Sequence, residues 1–256
     1  MALVSLTTNL SYTDYYLGAL KGAILKTNPS VQLVDAAIGL PNFDYKHTAT
    51  VLRNFYPFFP ENTIHLVHQN KTDIDSQLIV CQHHQQYFIG FNNGLLPLAF
   101  GEIPAETYVV AFQKTRFDAI FAKEFSMVIK AIIDGQPLAT FGSKDKIEYY
   151  QMPKIIINPQ IIKGQVEYID NFQNIITNIT KEDVLNAFGD APFTLYFRSY
   201  KVTDLSTTYN DVKEGDSVIF FNLENKLEIA MNQGKAAELM GGRMTQAVIL
   251  EKNENK

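Results

Sequence analysis

Two rhythms of apolar positions alternate through the first half of the chain. The short runs "LVSLTT", "VQLVDA", "TIHLVH", "LIVCQ", "YFIGF" and "TYVVAF" have the length and β-branched content of strands. Between them, Leu17, Leu20 and Ile24 recur at helical spacing from Asp14 to Leu25, and Ala49, Leu52 and Phe55 do so from Tyr45 to Phe55. Phe121 to Ile133 reads as a third helix, stopped by "DGQP", where Gly135 can cap and Pro137 cannot continue. Strand–helix alternation of this kind predicts a layered α/β domain. "LIVCQHHQQYFIGF" predicts a hairpin with "HHQQ" as its turn. His83 and His84 then belong to a solvated turn, since no Cys or His stands at convincing metal-ligand spacing.

The rhythm changes after about Tyr150. "MPKIIINPQIIKGQ" scatters prolines and a glycine among isoleucines and reads as a linker entering a second unit. Beyond it, "VEYID", "NIITNI", "FTLYFRSY", "DSVIFFN", "KLEIAMN" and "AVILEK" are short strands, and only "KEDVLNAF" and "GKAAELMG" look helical. Such spacing predicts a small β-barrel or sandwich. "EKNENK" is a charged tail.

Composition narrows the function classes. The chain has 256 residues, 46% of them hydrophobic and 19% charged, with a net charge of −5, enough for a sizeable core. Lysines and arginines are scattered, with no basic stripe, so nucleic-acid binding is not expected. The single cysteine, Cys81, allows no internal disulfide and reads as a buried free thiol, which fits a reducing compartment. "MALVSLTT" is too short and polar for a signal peptide, and no run reaches the ~18 apolar residues of a membrane span. A cytoplasmic location is the default expectation.

Several familiar catalytic signatures are missing: no Walker loop, G-x-G-x-x-G, G-x-S-x-G, C-x-x-C or H-E-x-x-H is present. Gly18 and Gly22 form a G-x-x-x-G that suggests close helix packing. Three polar clusters remain. Asn9, Ser11, Thr13 and Asp14 follow the first strand; Asp14 suits a sugar diol there and equally suits a helix N-cap. "GFNNG" is a tight turn or a site. Asp170 and Asn174, in "YIDNFQNIITNI", flank an aromatic and suit an ammonium with a carboxylate, or simply an acidic turn.

Taken together, these clusters resemble one family: the adenosine-forming S-adenosyl-L-methionine hydrolases, relatives of the fluorinating and chlorinating enzymes that use the same substrate. The family's "TTDFG…D.Y.GA.KG" is matched by "TTNLSYTDYYLGALKG", and its "NP…IVDI…IP..D…A.FVL...YP.FP.GTVH" by "NPSVQLVDAAIGLPNFDYKHTATVLRNFYPFFPENTIH". "G.DNG.L", "IDRFGNLITNI" and "LEIA.N.G.AAE.LG" are matched by "GFNNGLL", "IDNFQNIITNI" and "LEIAMNQGKAAELMG". The matches run in order from Leu6 to Gly241.

The resemblance implies an N-terminal three-layer α/β adenosyl-binding domain over residues 1–152 and a smaller C-terminal β-barrel domain over 163–251. It implies no cofactor, with S-adenosyl-L-methionine as substrate or ligand, and a homotrimer with the site between subunits. By motif position, Asn9 and Asp14 face the ribose, with Phe43 near the same pocket, and Asn93 joins the binding set. Asp170, Phe172 and Asn174 hold the methionine part. The backbone around Ala230 to Gln233, including Asn232, meets the adenine. In the implied reaction water attacks the 5′ carbon and displaces methionine from the sulfonium; the leaving group is neutral, so no general acid is needed.

The departures fall on the chemistry. The family loop "VDPGVGT.R" reads "VHQNKTDID" here, so His68 stands at the aspartate position and Asp75 at the arginine position. Arg116 stands at the position of the family's histidine, Asn9 replaces the ribose-binding aspartate, and Gln173 replaces the glycine of "FGN". Two readings follow. In one the site is degenerate and keeps at most adenosyl binding. In the other the triad is permuted: His68 is the base, Asp75 orients it and Arg116 fixes local charge. Halogenation needs a dry halide pocket, which "HQNKTDID" does not suggest. A trimeric scaffold is the non-enzymatic alternative.

Overall fold

The computed structural model describes residues 2–69, 77–110, 121–150 and 154–253. The chain divides into two compact units, Met1–Met152 and Pro153–Lys256.

The first unit is an α/β sandwich. Its elements, in order, are β1 (Leu3–Thr8), α1 (Tyr15–Thr27), β2 (Gln32–Ile38), α2 (Tyr45–Phe55), β3 (Ile64–His68), β4 (Leu78–His83), β5 (Gln86–Phe91), α3 (Leu95–Phe100), β6 (Thr107–Val110), α4 (Ala122–Ile133) and β7 (Gly142–Ser143). They build a seven-stranded sheet in the order β2-β1-β3-β5-β4-β6-β7. β2, β1, β3 and β5 run parallel, and β4, β6 and β7 join antiparallel. Leu17, Leu20 and Ile24 of α1 pack with Phe125, Val128 and Ile129 of α4 over one face. Ala49 and Leu52 of α2 pack with Leu95, Leu96 and Leu98 of α3 over the other. Two apolar layers around one sheet make three layers in all.

Local chemistry starts and stops these elements. Asp14 caps α1 by accepting from the Tyr16 N–H at 2.9 Å, and Asp44 caps α2 by accepting from the His47 N–H at 2.9 Å. The β4–β5 turn is the two residues His84 and Gln85, both with positive φ, as a tight hairpin with right-handed twist requires.

One sequence expectation changes here. Gly18 and Gly22 do not mediate close packing: an added Cβ at either would meet open space. α3 is a helix that the apolar pattern does not announce. Its apolar run "LLPLAF" is one turn and a half long, too short to show a period, and its proline sits near the start, where a missing N–H does no harm.

The second unit contains β8 (Ile156–Ile157), β9 (Ile161–Ile169), β10 (Ile175–Thr180), α5 (Lys181–Phe188), β11 (Phe193–Phe197), β12 (Tyr200–Val202), β13 (Ser217–Phe221), β14 (Lys226–Met231), α6 (Ala236–Met240) and β15 (Ala247–Lys252). The sheet runs β12-β11-β15-β9-β10-β14-β13, with β8 added on β9. A parallel bridge between Leu205 and Ile219, with the Ser206 N–H on the Ile219 carbonyl at 2.8 Å, brings the chain beyond β12 against β13, so the sheet nearly closes on itself. The stretch read as a linker already carries β8 and the first part of β9. Gly164 on β9 lies so close to Ile179 that an added Cβ would come within 2.4 Å of it, a close approach only glycine permits. α5 opens with a capping box, Thr180 and Asp183 bonding each other's backbone N–H.

Candidate functional site

The sheet order locates the crevice. From β1 the chain crosses α1 to β2 on one side; from β2 it crosses α2 to β3 on the other. The connections therefore diverge between the carboxyl ends of β1 and β3, where open parallel sheets bind ligands.

Asn9 and His68 stand at that divergence. The Asn9 N–H donates to the His68 carbonyl at 3.3 Å, and Thr8 Oγ1 lies 3.3 Å from His68 Nδ1. Thr8 Oγ1 also accepts from the Leu10 N–H at 2.9 Å, which leaves its own hydrogen for the ring nitrogen. His68 is wholly buried, with Phe91 and Phe125 at 5.5 and 5.8 Å between ring centres. This corrects the reading of His68 as part of a wet surface loop. It is the last residue of β3, and Phe125 of α4 packs against it.

Gln69, which sequence reasoning passed over, is 1% exposed and organises the site. Its Nε2 donates to the Pro41 carbonyl at 2.8 Å and to Thr48 Oγ1 at 3.1 Å. Asn9 Nδ2 donates to Asn42 Oδ1 at 2.7 Å. Two amides thus grip the loop that carries Phe43, a residue 61% exposed and held at φ 62°. With their N–H groups so occupied, Asn9 Oδ1 and Gln69 Oε1 are left buried without a partner among the described residues. Each such acceptor costs about 1–3 kcal/mol, which a donor from a ligand would recover.

Asn93 joins the same edge. It is 2% exposed, its Nδ2 reaches the Gln69 carbonyl at 3.5 Å, and its Oδ1 accepts from the Leu95 N–H at 3.1 Å, starting α3. Gly94 is held at φ 79° with the Tyr150 ring against its Cα, leaving no room for a Cβ. Asp14 stands apart: it is exposed, and its carboxylate caps α1 through the Tyr16 N–H. The loop between Asn9 and Asp14 is pinned by Tyr12, whose hydroxyl donates to Asp35 Oδ2 at 2.6 Å, where Lys21 Nζ also donates at 2.7 Å. Asp75 and Arg116 lie outside the described residues.

In the second unit, Asp170 and Asn174 come together at the β9–β10 turn. Asp170 Oδ1 accepts from the Asn174 N–H at 2.8 Å and Oδ2 from Asn174 Nδ2 at 3.0 Å. Phe172 projects from the turn, 76% exposed. Gln173 sits at φ 68°, the left-handed region, which accounts for the glycine that the resembling motif carries there. Its carbonyl accepts from the Ala237 N–H at 2.7 Å, tying the turn to α6. Ala230 and Asn232 flank the end of β14 beside the turn, since Ile175 pairs with Ile229. Both are buried, and Asn232 Nδ2 donates to the Val212 carbonyl at 2.8 Å. A cavity of about 550 Å³ opens next to the turn, lined by Asp170, Tyr209, Asn222 and Glu228 among others.

Comparison with known proteins agrees with these motifs. The family model of the SAM hydroxide adenosyltransferase N-terminal domain matches residues 4–134, and that of the C-terminal domain matches residues 164–249. A Methanocaldococcus jannaschii protein named (R)-S-adenosyl-L-methionine hydrolase is 27% identical over 193 residues, 73% of this chain and 71% of that one. A Salinispora tropica protein of the same name is 23% identical over 257 aligned positions, 93% of each chain. The fold is shared with an uncharacterized conserved protein from Thermotoga maritima, at a TM-score of 0.83 and 23% identity over 98% of this chain and 100% of that one. It is shared too with a conserved hypothetical protein from Thermus thermophilus, at a TM-score of 0.77 and 21% identity over 98% and 100% of the two chains. The chain belongs to the SAM hydroxide adenosyltransferase family, matched in both of its domains.

Proposed function

We propose that the protein binds S-adenosyl-L-methionine and hydrolyses it to adenosine and methionine with an altered catalytic set. The observation that carries this reading is the pair of unpartnered acceptors, Asn9 Oδ1 and Gln69 Oε1, at the divergence of β1 and β3. A ribose diol offers two hydroxyl donors, and buried carbonyls without partners are what such donors satisfy. Relatives named (R)-S-adenosyl-L-methionine hydrolase support the same chemistry. Asp14, Phe43 and Asn93 are assigned to the adenosyl end, Asp170, Phe172 and Asn174 to the methionine end, and Ala230 and Asn232 to the adenine.

Water attacks the 5′ carbon and the C–S bond breaks, its electron pair going to the sulfur of methionine. The water must lose a proton. His68, Asp75 and Arg116 are assigned to orient it and take that proton. No cofactor takes part, and the working form is a cytoplasmic homotrimer. Aromatics left bare in the single chain, such as Tyr12 at 67% and Tyr15 at 72%, support burial in an assembly.

A second reading, binding without turnover, is favoured by the Thr8–His68 pair. If Thr8 donates to Nδ1, the neutral ring carries its proton on Nε2 and offers no lone pair there to a water. One experiment separates the readings. Purified protein incubated with S-adenosyl-L-methionine should release adenosine and methionine, and His68→Ala and Asp75→Ala should abolish the release. Calorimetric binding without release would establish the second reading. No binding of either S-adenosyl-L-methionine or adenosine would overturn both and leave a scaffold.

A further inference from the structure

The Gln69 amide is committed at one end only. Its Nε2 donates to the Pro41 carbonyl at 2.8 Å and to Thr48 Oγ1 at 3.1 Å. The Thr48 hydroxyl gives its own hydrogen to the Asp44 carbonyl at 3.1 Å, so toward the amide Oγ1 is an acceptor. Flipping the amide would set Oε1 against a carbonyl and a hydroxyl whose hydrogen is spent, so the orientation is fixed. Both amide hydrogens go to the α2 side, and Oε1 is left buried without a partner among the described residues.

The loop on that side needs holding. Phe43 sits at φ 62°, a left-handed setting that a bulky side chain keeps only where its surroundings impose it. Backbone bonds tie the chain on either side of it: the Leu40 N–H donates to the Thr8 carbonyl at 3.1 Å, and the Thr48 N–H to the Asp44 carbonyl at 3.1 Å. Between them, the Gln69 amide holds Pro41 and the Asn9 amide holds Asn42. The setting of Phe43 is thus imposed by residues that follow β3 and β1, the strands at whose ends the crevice opens.

We propose that Gln69 is a positioning residue that couples occupancy of the crevice to the seating of Phe43. A ligand hydroxyl that donates to Oε1 polarises the amide and strengthens its N–H bonds to Pro41 and Thr48. The loop that carries the Phe43 ring is then fixed by the ligand it faces. This rests on the reading above, in which Oε1 meets a ribose hydroxyl. A ligand without that hydroxyl leaves the loop held as in the free protein.

The chain has no tryptophan, so Phe43→Trp places a single indole on this loop for time-resolved anisotropy. Gln69→Leu, added to it, should raise the amplitude of fast indole motion. Thr48→Val, nearly isosteric and leaving Oε1 intact, should raise it too, and carries the test if Gln69→Leu does not fold. Adenosine should lower the amplitude while Gln69 is present; 2′,3′-dideoxyadenosine should not. An amplitude indifferent to both substitutions, or lowered equally by both nucleosides, overturns the proposal. A double-mutant cycle reads the coupling by calorimetry with adenosine. Thr48→Val should weaken binding about 3-fold when Phe43 is present and leave it unchanged once Phe43→Ala has removed the ring. Equal losses in both backgrounds overturn the coupling. If adenosine does not bind, the functional reading fails, and the anisotropy of the free protein alone decides whether Gln69 seats Phe43.

Discussion

β1 and β3 hold two hydroxyl–imidazole pairs with opposite fates. The strand register sets Ser5 opposite His65 and Thr8 opposite His68. Three residues separate the pairs, so they lie on opposite faces of the sheet. His65 is buried mid-strand: Ser5 Oγ lies 2.6 Å from its Nδ1, Gln86 Oε1 lies 3.2 Å from its Nε2, and the ring stacks on Phe88 at 4.7 Å. Gln86 Nε2 donates to the Phe59 carbonyl at 2.7 Å, so its oxygen faces the ring and takes the Nε2 hydrogen. A serine, a histidine and an amide in a row look like a catalytic relay, yet all three are buried in the core. His68 has an equivalent hydroxyl partner but stands where β3 ends, next to two amides with unpartnered carbonyls. Side-chain chemistry alone does not distinguish core from site here. Position along the strand does.

Breaking the interior pair should cost the most. His65→Ala removes a stacked ring and strands Ser5 and Gln86; denaturant unfolding should show a loss of about 3–5 kcal/mol. Acid should act on the same residue next. Burial lowers the His65 pKa to about 4, so the native ring stays neutral while the unfolded one protonates near 6.5. The stability it contributes is complete above pH 6.5 and falls as pH drops toward about 4, a loss of about 3 kcal/mol. His65→Gln should flatten that part of the stability profile; an unchanged profile would assign the loss to other groups.

The smaller effects sharpen the contrast. Ser5→Ala and Thr8→Val should each cost about 1–2 kcal/mol, since each takes the hydroxyl partner from a buried ring nitrogen. Their ring ¹⁵N shifts should differ. In Ser5→Ala, Gln86 still holds the Nε2 hydrogen and the tautomer stays put. In Thr8→Val the Nδ1–H fraction of His68 should rise. Equal responses would show that the two pairs are not distinct in kind.

Much of the fold was legible because its signals are local. β-branched runs gave β1 to β6, and helical spacing, with Asp14 and Gly135 at the ends, marked α1, α2 and α4. α5 begins and ends where "KEDVLNAF" does. Non-local features were less readable. "FTLYFRSY" conceals two strands, β11 and β12, because the left-handed Arg198 that turns the chain carries no glycine signal. The burial of His68 draws on Phe91 of β5 and Phe125 of α4, residues distant in sequence. Gln69 gave no signal, since its partners Pro41 and Thr48 meet it only through the α2 crossover. Tyr209 and Glu228 are likewise 19 residues apart and join through the barrel. What could have pointed to Gln69 is its place: in the resembling loop that position is a proline, which has no side-chain acceptor to offer.

Cys81 has a practical consequence. The only thiol in the chain is wholly buried, and burial pushes it up to about 12. A thiol held that far from its thiolate does not react with maleimides or nitroxide reagents in the native state. Any cysteine placed on the surface is therefore a single labelling site without first removing the native one. A pair of them, one on each unit, would let dipolar spectroscopy measure the separation of the two units directly, with and without an adenosyl compound present.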